Sequence, residues 1–128
     1  MDPQALTVVV YARDFDKSLD FYAVALGLRE LGQWDRPESK GARFAAGDGG
    51  VIEVFGAPGA GLDEATRVGG VSIALKVDGV DGWYARLCSA GIECTEPSEE
   101  WWGGRCVYVF DPNGLTILLS EERRMVPP

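Results

Sequence analysis

The 128-residue chain contains no histidine. Without imidazole it can form no Ser-His-Asp or Cys-His catalytic unit, no His-ligated zinc site, and no site of two histidines and a carboxylate for non-haem iron. Acid-base chemistry is left to Glu, Asp, Tyr, Cys or Lys. Positive charge is also scarce, with 12 Lys+Arg against 20 Asp+Glu, a formal charge of −8 and a pI near 4.4. Such a surface repels a polyanion, which argues against a nucleic-acid partner and favours a cationic one. The three cysteines, Cys88, Cys94 and Cys106, are odd in number and lack a C-x-x-C spacing. Neither a disulfide framework nor a zinc knuckle is expected, and the thiols read as reduced and mostly buried. No apolar run approaches the roughly 18 residues of a membrane span, and the N-terminal stretch carries no basic leader region. A cytoplasmic protein without membrane contact is the expectation.

What is present is a repeat. Val10-Tyr11-Ala12-Arg13-Asp14 and Ala74-Leu75-Lys76-Val77-Asp78 both read as strands ending in Asp. Apolar residues follow each at helical spacing, Phe15, Leu19, Tyr22 and Leu26 in one copy and Val80, Trp83, Tyr84 and Leu87 in the other. Both helices stop at a glycine 13 residues past the Asp, Gly27 and Gly91. Asp14, Asp16 and Asp20 fit helix capping, and Tyr22 and Tyr84 fit core positions. Strands are expected at Leu28–Trp34, Ala42–Ala46 and Val51–Phe55, then at Ile92–Thr95, Arg105–Phe110 and Leu115–Ser120. A loop over Arg36–Gly41 and a tight turn at Asp111-Pro112-Asn113-Gly114 separate some of them. The expectation is one domain spanning 1–128: a first β-α-β-β-β module over 5–56, a connector over 57–69, a second module over 70–122 and a frayed tail over 123–128.

The residues Tyr11-Ala12-Arg13-Asp14, Ser18-Leu19-Asp20-Phe21-Tyr22, Leu26-Gly27-Leu28 and Gly50-Val51-Ile52-Glu53-Val54 carry a family resemblance. So do Ser72-Ile73-Ala74-Leu75-Lys76-Val77-Asp78, Trp102-Gly103-Gly104-Arg105 and Asp111-Pro112-Asn113-Gly114. Together they resemble the vicinal-oxygen-chelate superfamily of glyoxalase I, extradiol dioxygenases, fosfomycin-resistance transferases and bleomycin-resistance proteins. The resemblance implies an α+β fold in which two tandem modules form an open, cup-like eight-stranded mixed sheet, commonly within a homodimer. In the metal-using members four cup positions supply His, Gln or Glu ligands. By count from the shared motifs, these positions are Thr7, Glu53, Ser72 and Leu118 in this chain. Only Glu53 keeps a metal-binding side chain, so no metal and no cofactor are expected.

Glu53 alternates with Ile52 and Val54 and so faces away from them. It suits a general base, a partner for a substrate ammonium, or an ordinary bond to a neighbouring Arg or Tyr. Trp101 and Trp102 precede a strand where binding members of the family carry a similar Trp-Gly, and Trp34 is a candidate addition to an aromatic wall. Tyr11, Arg43, Phe55 and Tyr108 lie on expected strands and complete the candidate ligand contacts. Glycine-rich turns are present, but not in the G-x-x-x-x-G-K-[ST] or G-x-G-x-x-G contexts that cradle phosphate. The leading expectation is a metal-independent protein that sequesters a cationic or aromatic small molecule. The alternative is a lyase, isomerase or hydrolase with Glu53 as base and a Tyr or Arg stabilising an enolate or oxyanion.

Overall fold

The computed structural model describes residues 1–56, 71–100 and 103–122. The expected connector and tail lie outside the described residues, as do Trp101 and Trp102. The chain divides into two compact units, each holding one four-stranded mixed sheet. In the first, β1 (Thr7–Tyr11) leads to α1 (Phe15–Leu19) and a π-helical segment (Asp20–Ala25). Then come β2 (Glu30–Arg36), β3 (Ser39–Ala45) and β4 (Val51–Phe55). In the second, β5 (Ser72–Lys76) is followed by α2 (Val80–Ser89), β6 (Ser98–Glu99), β7 (Gly104–Phe110) and β8 (Thr116–Glu122). The sheet orders match, β1-β4-β3-β2 and β5-β8-β7-β6, with one parallel pair at the start of each and antiparallel pairs beyond it. This is the α+β pattern of two β-α-β-β-β modules.

Alternation along the strands decides which face of each sheet is buried. In the first unit Val10, Ala42, Phe44, Ile52 and Val54 point under the helix and pack with Phe21, Tyr22, Ala25 and Leu26, all buried. Tyr22 meets Phe21 edge-on at 4.9 Å and Phe44 in a stacked contact at 6.1 Å between ring centroids. In the second unit Val80 and Leu87 of α2 cover Val107, Val109, Ile117 and Leu119. Tyr84 is only half-buried, because α2 buries a narrower stripe than its sequence suggests.

Asp14 caps α1, its Oδ1 accepting the Lys17 amide at 3.2 Å. At the far end of α2, Gly91 adopts φ 73°, the Gly91 amide donates to the Cys88 carbonyl and the Ile92 amide to the Leu87 carbonyl, both at 3.0 Å. That pair of bonds is a Schellman cap. The first helix ends differently. The Leu26 amide reaches the Phe21 carbonyl at 2.9 Å, and the Leu28 amide donates to Tyr22, one residue further back than its counterpart in α2. The first module thus fits 11 helical residues where the second has 10, and the wider π turns absorb the extra one.

Two expected strand boundaries move. The loop expected over Arg36–Gly41 shrinks to Pro37-Glu38, with Arg36 already paired with Ser39; proline presets the φ that a tight turn needs, so no longer connection is required. The strand expected at Ile92–Thr95 is reduced to a single bridge between Cys94 and Val109, and pairing resumes only at Ser98. Pro97, which has no N–H to donate, interrupts it.

Arg105 ties the second unit together. Its Nε and Nη2 donate to both carboxylate oxygens of Asp81 on α2 at 3.0 and 2.7 Å, and its Nη1 donates to Glu99 of β6 at 3.1 Å. The hydrogen bonds to Asp81 are the main cause holding this guanidinium firmly charged. The turn before β8 is built on buried Asp111, whose Oδ1 accepts the amides of Asn113 and Leu115 at 2.9 and 2.7 Å. Asp111→Ala strands both donors, and a loss of about 2–4 kcal/mol in urea-unfolding free energy is expected, whereas Asp111→Asn retains an acceptor and loses less.

Candidate functional site

The face of the first sheet turned away from its helix carries most of the candidate residues. Pairing registers place them on two rungs that run across all four strands. One rung is Tyr11, Phe55, Gly41 and Trp34; the next is Val9, Glu53, Arg43 and Gly32. The first is aromatic. Tyr11 stacks on Phe55 at 5.9 Å between centroids with 22° between the planes, and Trp34 meets Phe55 edge-on at 5.4 Å. Gly41 lies between Phe55 and Trp34 in the pairing, and a Cβ built there would overlap the indole. Trp34 therefore folds across β3 into space that any side chain at residue 41 would fill. Its indole Nε1 donates to Ser39 Oγ at 3.0 Å, which fixes the ring's rotation. Tyr11 remains 51% exposed and Val9 on the next rung 40%, so this face offers open apolar surface.

The neighbouring rung is ionic. Arg43 Nε lies 3.4 Å from Glu53 Oε2, with the carboxylate largely covered and the guanidinium half open. Of the readings open to Glu53, the bond to a neighbouring arginine is the one present.

The second sheet repeats this register with other chemistry. Thr7 and Ser72, Tyr11 and Lys76, Arg43 and Tyr108, Glu53 and Leu118, and Phe55 and Ser120 are pairs of positions each offset by 65 residues with matching strand partners. The Glu53–Arg43 pair is replaced by Leu118 beside Tyr108, and the aromatic rung by Lys76, Ser120 and Cys106. Burial is the main cause that pushes the Tyr108 phenol and the Cys106 thiol up, with Glu100 acting next on both. Tyr108 therefore stays a hydrogen-bond donor at neutral pH.

Thr7 and Ser72 hold equivalent places on the first strand of each module, and Glu53 and Leu118 on the fourth. As a donor set, two hydroxyls, one carboxylate and a leucine do not fit a divalent catalytic ion, and the carboxylate already faces a guanidinium that would repel one. Among the described residues no group of three or more His, Cys, Asp or Glu could hold a metal ion. Val9, Gly41 and Ser39 belong to this face but are not apparent from residue type. Finding Gly41 and Ser39 needs the β2–β3 register, which the short Pro37-Glu38 turn sets, and finding Val9 needs the β1–β4 register.

Two β-α-β-β-β modules of identical strand order, with matched positions on the first and fourth strands, define the vicinal-oxygen-chelate class of fold. The chain belongs to the Glyoxalase/Bleomycin resistance protein/Dioxygenase superfamily, whose sequence model matches residues 4–119. Among solved structures it is similar to the bleomycin resistance determinant encoded on transposon Tn5, with 26% identity and a TM-score of 0.67. That match covers 97% of this chain and 100% of the determinant. It shares its fold with TnmS3, an antibiotic binding protein from Streptomyces sp. CB03234, at 24% identity and TM-score 0.73, covering 96% and 97% of the two chains. The same holds for the fosfomycin resistance protein FosX from Listeria monocytogenes, at 21% identity and TM-score 0.75, covering 96% of each. A search among curated proteins finds no match.

Two outcomes follow from this geometry. Gly41→Val should expel the indole from its seat and red-shift Trp34 emission, with a stability loss of about 1–3 kcal/mol in urea. The Cys106 thiol and Tyr108 phenol lie above their ordinary values of 9.0 and 10.0 in the folded chain. Their contribution to stability is therefore complete below those values and declines as pH rises through the higher folded ones. The urea midpoint should fall above pH about 9, less steeply in Cys106→Ala.

Proposed function

We propose that this chain is a metal-independent small-molecule binding protein of the antibiotic-sequestering kind, acting as a cytoplasmic homodimer on an aromatic or cationic ligand. The observation that carries the reading is the rung of Tyr11, Phe55 and Trp34 seated over Gly41, with the Arg43–Glu53 pair beside it. A planar ligand laid on Tyr11 and Phe55 gains stacking contact, and its positive group meets Glu53 by competing with Arg43. Sequestration needs an apolar wall and a few oriented polar atoms, with no reacting group. The charge of −8 adds attraction for a cation. The likeness to a bleomycin resistance determinant and to an antibiotic binding protein supports the same reading. Thr7, Ser72, Trp101, Trp102, Tyr108 and Leu118 are proposed as further ligand contacts.

The ion pair weighs against the enzymatic alternative. Glu53 acting as a general base would first have to give up Arg43. The test is a tryptophan-fluorescence titration with bleomycin and other cationic aromatic natural products. Saturable binding is expected, with Kd rising about 10-fold in Trp34→Ala through the lost aromatic contact. Glu53→Gln should weaken cationic ligands several-fold and leave neutral aromatic ones unchanged. Absence of any fluorescence response across the panel would overturn the proposal.

A further inference from the structure

The ion pair on the open face of the first sheet is loosely made. Its closest approach is 3.4 Å, from Arg43 Nε to Glu53 Oε2, and no hydrogen bond joins the guanidinium to any described residue. Arg105 in the second unit shows the contrast: its Nε, Nη2 and Nη1 all donate to carboxylates, at 3.0, 2.7 and 3.1 Å. Arg43 is instead half open to solvent, with both terminal nitrogens unbonded among the described residues. Space lies beside it, because the next residue on its rung is Gly32, where a built Cβ meets nothing within 4 Å. Trp34 of the aromatic rung follows two residues along the same strand. The equivalent places in the second sheet hold Tyr108 and Leu118, so the charged pair belongs to the first sheet alone. No thiol lies on this face: all three cysteines belong to the second unit, with Cys88 exposed, Cys94 half-buried and Cys106 buried, where the sequence suggests mostly buried ones.

We propose that this face selects a zwitterion: an aromatic ligand that carries an ammonium and a carboxylate on one carbon, as an aromatic α-amino acid group does. The inference rests on the reading of the aromatic rung as the ligand seat and names the chemical class that the seat takes. Charge matching carries it. A lone cation that draws Glu53 away leaves the Arg43 guanidinium without its counter-charge. A lone anion on Arg43 leaves the Glu53 carboxylate, only 20% exposed, to lose its partner or face a like charge. A zwitterion inserts its own pair into the existing one. Its carboxylate takes two parallel donors of the open guanidinium fork, the bidentate geometry for which arginine is suited. Its ammonium meets Glu53, and every charge on the face keeps a partner. Neighbouring rungs on one face lie about 7 Å apart, two residues of strand rise. A head group held by Arg43 and Glu53 therefore directs an arylmethyl substituent toward Tyr11 and Phe55 on the next rung. The charge of −8 neither draws nor repels a ligand of zero net charge, so these contacts decide the selection.

The test compares three ligands that share a phenyl ring: L-phenylalanine, phenethylamine, which lacks the carboxylate, and 3-phenylpropanoate, which lacks the ammonium. Each is titrated into the full chain and followed by tryptophan emission. Phenylalanine is expected to bind about 10-fold tighter than either half-ligand, through the charge-assisted bonds that each half-ligand cannot make. Arg43→Gln should bring phenylalanine down to the level of phenethylamine and leave phenethylamine no weaker. Glu53→Gln should bring it down to the level of 3-phenylpropanoate and leave that acid no weaker. Retained binding of the matching half-ligand shows that each variant is folded. The zwitterion proposal is overturned, and aromatic binding stands, if phenethylamine binds the unaltered chain as tightly as phenylalanine, or if Arg43→Gln weakens both equally. If neither these ligands nor the larger cationic aromatics give a response, both proposals are overturned.

Discussion

The open face of the first sheet depends on one steric fact, that residue 41 has no side chain. Antiparallel pairing sets residue 41 between Phe55 on one side and Trp34 on the other. A β-carbon there would occupy the indole's seat. With glycine in place, the tryptophan crosses a strand, reaches Phe55 and extends an aromatic surface begun at Tyr11. Packing of large rings over a glycine also protects the exposed backbone and recovers part of the strand stability that glycine loses.

The two modules show how little of a shared backbone is committed to chemistry. Positions on β1, β3 and β4 recur on β5, β7 and β8 with a constant offset, yet the side chains at equivalent rungs have exchanged character. Glutamate and arginine in the first sheet correspond to leucine and tyrosine in the second, and tyrosine and phenylalanine to lysine and serine. The helix-side residues, by contrast, are apolar in both copies because both must cover a helix. Burial constrains one face of each sheet and leaves the other free to diverge, which is how one fold can serve metal enzymes and binding proteins alike.

The amphipathic helices, their terminal glycines and the Asp111 turn were legible because each rests on contacts within a few residues. The position of Glu53 was also legible, since period-two alternation needs no knowledge of the partner strand. Its partner was not, because Arg43 meets it only through the β3–β4 register. The same limit hid Gly41. A run of Pro, Glu, Ser, Lys and Gly suggests a loop by composition, whereas proline's fixed φ let two residues suffice, and that shorter turn set the pairings of β2 from Gly32 to Arg36. The strand expected near Ile92 was cut to one bridge because Thr95 Oγ1, in place of a backbone carbonyl, takes the Tyr108 amide, and Pro97 offers no N–H before pairing resumes at Ser98.

The equal 13-residue intervals conceal an inequality. The first helix begins at the residue after its aspartate and α2 only at the second, while both end two residues before their terminal glycine, so the first holds one more helical residue in the same interval. The interval itself has neither gained nor lost a residue: Phe15, helical in the first module, stands where the second has Gly79, the left-handed N-cap of α2. The helices are consequently no longer interchangeable cassettes. Grafting Val80–Ser89 alone, without Gly79, in place of Phe15–Ala25 would shorten the link by one residue and rotate the covering apolar stripe by about 100°, away from Phe44 and Ile52.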